Sequence, residues 1–154
     1  MLQRLVIAMS SVLVLLSTAV AQVELSVPSG PFKPEDRIQA KITNKGRMPI
    51  SYCVEFGQWS PHAGTIESMP IPFYIEKRNG EKWGVVMNGP DIGSSRHTVQ
   101  LEPAGSNDFP FRLFDKGDMR LVLHYWTGNR DDTCSETPKG RKTAKSKMFS
   151  ISGD

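Results

Sequence analysis

Apolar and polar residues alternate with a period of two along most of the chain beyond residue 22, and most clearly through Ile50-Ser51-Tyr52-Cys53-Val54-Glu55-Phe56. That period predicts a half-buried strand with Ile50, Tyr52, Val54 and Phe56 on its core face. The other face carries Cys53, one of two cysteines. Val23 to Val27 alternates up to Pro28 and predicts a first strand at a sheet edge. Ile38, Ala40 and Ile42 mark a second strand. Phe73–Lys77 and Lys82–Met87 flank Asn79-Gly80, which predicts a hairpin turning through a type I′ pair with positive φ at both residues. Thr98–Leu101 is a short strand, and Phe109–Leu113 holds a proline and belongs at an edge or a bulge. Met119 to Trp126 is a strong strand, and Lys145 to Ile151 is the last. No helical period persists beyond a turn. Eight or nine short strands separated by turn signals predict an all-β antiparallel sandwich.

The alternation fails in two places. Between Gly57 and Pro72 stand Pro61, Gly64, Pro70 and Pro72, and the expectation is a long surface loop without a regular element. It would present Trp59, His62, Ile66 and Met69, and a proline-stiffened loop loses less entropy on binding. This is the prime candidate for partner recognition. Asn88 to Ser95 is a second long loop.

The first 21 residues stand apart. Arg4 gives a positive start, Leu5 to Leu16 is apolar, and Ala19-Val20-Ala21 is a small-x-small cleavage pattern. The reading is a signal peptide cut between Ala21 and Gln22, because the apolar run is shorter than the roughly 20 residues a membrane span needs. A secreted or periplasmic product is expected, with no transmembrane segment in the mature chain. Removing 21 of the 154 residues leaves 133, one domain's worth.

Composition narrows the function classes. Without Arg4, 18 basic side chains face 16 acidic ones, a bias too weak for a dedicated nucleic-acid binder. In an oxidising compartment Cys53 and Cys134 are expected to pair with each other. That crosslink would sit on the face opposite Tyr52 and Val54, tying a sheet face to the late polar loop. Three histidines, no Gly-x-Ser-x-Gly elbow and no ligand spacing give no catalytic residue, metal or cofactor to name. Asp91, Asp118, Asp131 and Asp132 read as turn carboxylates. Trp83, Tyr125 and Trp126 read as core and rim packing rather than a sugar platform. Lys139, Arg141, Lys142, Lys145 and Lys147 form an acid-free basic run. It is either a contact for an anionic surface or a solvated arm that guards a sheet edge.

The order of features resembles bacterial immunoglobulin-like domains, including the group related to the intracellular proteinase inhibitor of bacilli. The carriers are Ile38–Asn44, Tyr74–Lys77 with Asn79-Gly80 and Trp83, Leu101–Gly105, and Gly117 before Met119–Val122. The resemblance implies an immunoglobulin-like β-sandwich. Met119 stands where the tyrosine corner of that fold would place a phenol. The expected function is a secreted, non-catalytic module that binds a protein partner through its loops. The alternatives are a proteinase inhibitor acting through residues 59–72 and an unidentified small hydrolase.

Overall fold

The computed structural model describes residues 22–59, 67–87, 96–134 and 139–153. Among these residues there are eleven strands and no helix. Strands β1 (Val23–Ser26), β2 (Ile38–Asn44) and β8 (Ser106–Phe111) form a small sheet in the order β1-β2-β8. The larger sheet is built on β9 (Gly117–Thr127), which pairs with β3 (Ile50–Trp59), β5 (Phe73–Asn79), β10 (Lys142–Lys145) and β11 (Phe149–Ile151). It is completed by β4 (Glu67–Ile71) and β7 (Arg96–Leu101) on β3 and by β6 (Lys82–Met87) on β5. Every ladder is antiparallel. First, second and a late strand in one sheet, with the third and last strands in the other, is the division of an immunoglobulin-like sandwich.

The alternation places the core. Ile38, Ala40 and Ile42 of β2, Phe109 and Phe111 of β8, Ile50, Tyr52 and Val54 of β3, and Met119, Leu121 and Leu123 of β9 close one apolar cluster between the sheets. Tyr52 crosses it: its hydroxyl accepts a hydrogen bond from Asn107 Nδ2 of β8 at 2.8 Å, and its ring meets Phe109 edge-on at 6.2 Å. Asn44 is wholly buried yet satisfied, donating to the carbonyls of Met48 and Leu101 and accepting from the Gly46 amide. Pro110 lies in β8 at the edge of the small sheet, where a missing N–H costs no ladder bond.

Cys53 and Cys134 are joined, with Cα atoms 5.0 Å apart. The bond lies on the outer face of β3, because Tyr52 and Val54 occupy the inner one. Neighbouring ties hold the 128–134 segment to that face. Ser51 Oγ donates to the Gly128 carbonyl and accepts from the Arg130 amide, and Thr98 and Thr133 share a hydroxyl bond at 2.9 Å.

Four expectations change. The segment after Gly57 is not a loop throughout: residues 67–71 are strand β4, paired with the end of β3. Its Pro70 is tolerated because β4 ends its sheet path and pairs only with β3. The hairpin forms between β5 and β6, but Asn79 is a strand residue opposite Lys82, and the two turn residues are Gly80 and Glu81. Positive φ falls on Gly80 alone (63°), the pattern of a type II′ turn rather than I′. The last strand is shorter than residues 145–151: β11 keeps only 149–151, Lys145 ends the separate strand β10, and the registers of the two against β9 differ by one residue across 146–148. Ser146 Oγ takes the Leu121 amide there, and the extra residue turns Phe149 and Ile151 onto the core. Phe56, expected in the core, lies at its margin stacked on His97 at 5.3 Å, because β3 leaves β9 after Ser51.

Candidate functional site

The residues singled out in the sequence scatter. His62 and Ile66 lie outside the described residues, as do Asp91 and the rest of the 88–95 loop. Trp59 closes β3, its backbone opposite Glu67. Met69 is not exposed: it lies in β4 and retains 2% of its surface. A recognition loop or inhibitor segment spanning 59–72 therefore loses its second half to a paired strand. Tyr125 and Trp126 are both buried, as neighbours on opposite faces of β9, so they present no joint aromatic platform to solvent.

The basic run divides by role. Lys142 Nζ is tied down, donating to Thr127 Oγ1 at 2.8 Å and to Gln22 Oε1 at 3.4 Å. The Lys139 carbonyl accepts from Arg130, which also forks onto Asp132. Arg141 acts on Tyr74 and His124 on the outer sheet face, where burial, and then the Arg141 charge, hold the His124 imidazole below its ordinary pKa. Lys145 and Lys147 make no ion pair among the described residues.

Those two lysines border a trench. Among the described residues β1 is hydrogen-bonded only to β2, and β10 only to β9, so two strand edges unpaired among those residues lie side by side. The chain after β1 crosses to the larger sheet through a cis Gly30–Pro31 bond and meets β11 at a single parallel bridge, Phe32 with Ile151. Between Gln22 and that bridge the two edges leave a cavity of about 670 Å³ lined by Val23, Leu25, Val27, Lys45, Lys145 and Lys147. It continues past Val27 and Ser29 into a second of about 380 Å³ beside Pro28, Pro31, Lys147 and Met148. Lys45 is paired with Glu24 at 3.1 Å, which leaves Lys145 and Lys147 as the lining charges without an ion-pair partner among the described residues. Met148, 50% exposed, is a large apolar side chain in the same trench.

A second cluster covers the outer face of β5, β6 and β9. Arg120 grips Glu76 Oε2 at 2.6 Å and lies 4.0 Å from the Trp83 ring centroid. Tyr74 leans on His124 at 5.0 Å, and His124 Nδ1 shares a hydrogen bond with Thr143 Oγ1. Its charges are mutually satisfied, so it reads as a fastening between strands. Asp118, Asp131 and Asp132 are likewise occupied, by Ser150, Gln100 and Arg130. Among the described residues, no three His, Cys, Asp or Glu side chains converge as a metal site.

Val27, Ser29 and Met148 were not legible as site residues. Nothing local marks them, since they meet the lysines only through the crossing of the chain from one sheet to the other. The acid-free run 139–147 was the signal available, and it located one wall.

No protein-family model matches the chain, and no curated protein matches it. Solved structures that match include the ASH/PapD-like domain of human CEP192 (PapD-like domain 7), at 13% identity over 96% of this chain and 99% of that one. The TM-score is 0.37.

Proposed function

We propose that the protein is an exported, non-catalytic binding module that recognises an acidic partner protein at the trench between β1 and β10. The observation that carries this reading is the pair Lys145 and Lys147, without an ion-pair partner among the described residues, beside a cavity between two strand edges that are unpaired among those residues. Open edges are ordinarily blocked or covered, and lysine serves both purposes: it repels a second copy and attracts an acidic chain. The apolar signal-like N-terminus and the Cys53–Cys134 bond support export, since such bonds persist in oxidising compartments.

Titration with poly-L-glutamate tests the reading. Saturable binding is expected at low salt, weakening as ionic strength rises, with a Lys145→Glu/Lys147→Glu variant binding at least ~10-fold more weakly. Binding that is absent, or indifferent to both lysines, overturns it. N-terminal sequencing of the exported protein should begin at Gln22.

A further inference from the structure

We infer that the trench takes an extended peptide segment in which carboxylates alternate with apolar side chains. This rests on the acidic-partner reading and goes beyond it, since a purely electrostatic site would need no apolar lining. The lining is mixed along its length. Lys145 and Lys147 carry free charge, whereas Val27, Pro28, Pro31 and the half-exposed Met148 are apolar and interleaved with them. A compact anion would use the lysines and leave Met148 in water. A helix spends its amides and carbonyls on itself and would leave the strand edges unpaired. An extended chain meets all three features: its side chains alternate between two faces, and its amides and carbonyls match the outer edge of β1, which is unpaired among the described residues. At about 3.3 Å per residue, the wall from Val23 to Pro31 suits a segment of roughly eight to nine residues. Charge complementarity selects the occupant: Glu24 is already held by Lys45, so the net charge left at the trench is positive and disfavours a second copy of this basic face.

The test uses the intact, oxidised protein and a soluble alternating Glu-Val octapeptide followed by fluorescence anisotropy. Three comparisons accompany it: a Glu-Ser octapeptide of equal charge, the Glu-Val peptide N-methylated at alternate amides, and dextran sulfate. The Glu-Val peptide should bind about 5-fold or more tighter than Glu-Ser, and N-methylation should cost a similar factor. Met148→Ser, at an exposed position that leaves the core intact, should erase most of the Glu-Val advantage while leaving Glu-Ser binding unchanged. Equal binding of Glu-Val and Glu-Ser, or indifference to Met148→Ser or N-methylation, overturns the inference and leaves the acidic-partner reading standing. Absence of binding by every acidic peptide, or dextran sulfate outcompeting all of them at the same lysines, overturns both.

Discussion

The two faces of β9 are built on different physics. Met119, Leu121, Leu123 and Tyr125 point into the sandwich and are held by apolar burial shared among many neighbours. Arg120, His124 and Trp126 point outward, where discrete partners hold the neighbouring strands: Glu76 and Trp83 for Arg120, Thr143 and Tyr74 for His124. On the same outer side a covalent bond fastens β3 to the 128–134 segment. Burial is collective and tolerant of exchange among similar shapes, whereas each outer tie has one partner and fails singly. The inner face should therefore govern global stability, and the outer face should govern which segments stay attached.

The largest test strikes the inner face. Leu121 is fully buried, and Leu121→Ala should lower unfolding free energy by about 4 kcal/mol, read from the denaturant midpoint, with no segment loosening before the rest. Next comes the crosslink. Paired Cys53→Ser and Cys134→Ser substitutions open a closure spanning 81 residues and should cost about 3 kcal/mol. Amide exchange should then accelerate first across 128–134, while the amides of Leu121 and Leu123 stay protected. Uniform acceleration across both regions would erase the distinction between the faces. A smaller loss follows from Glu76→Gln, which leaves the largely covered Arg120 with a weaker acceptor. The expected cost is about 1–2 kcal/mol, and shielding of the remaining charge by the Trp83 ring keeps it at that level.

The same division explains what the sequence disclosed. Period-two alternation is a property of one strand, so the inner face of β2, β3 and β9 could be read from the chain alone, and with it the sandwich class. The outward placement of Cys53 followed from the same parity. What alternation cannot reveal is which strand lies beside which. Phe56 has the parity of a core residue but outruns the strand that would cover it. Pro70 looked like a breaker because its only paired neighbour, the end of β3, is a matter of topology. Asn79-Gly80 gave the right hairpin and the wrong turn residues, since the pairing of Asn79 with Lys82 set the register. The bulge at 146–148 was hidden because both halves of that segment alternate correctly when read separately. The trench was half legible: its lysines stand in one basic run, but the opposite wall lies more than a hundred residues earlier in the chain.

The subtlest outer tie is sensitive to pH. Burial, and then the Arg141 charge, lower the His124 pKa from its ordinary 6.5. The folded site thus binds a proton less readily than the unfolded chain does. The stability contributed by the neutral imidazole is complete above about pH 6.5 and is lost as pH falls through the lower folded value. The groups facing that ring are Tyr74, Thr143 and Arg141, and none supplies a negative charge to offset protonation. Denaturant midpoints at pH 7.5 and pH 5 should therefore fall less steeply with acid in His124→Gln than in the wild type. Replacing Arg141 by Gln should recover only the smaller part of that difference, because burial is the larger cause. If the wild type and His124→Gln lose stability in parallel, this tie does not respond to pH, and the acid sensitivity of the fold resides elsewhere.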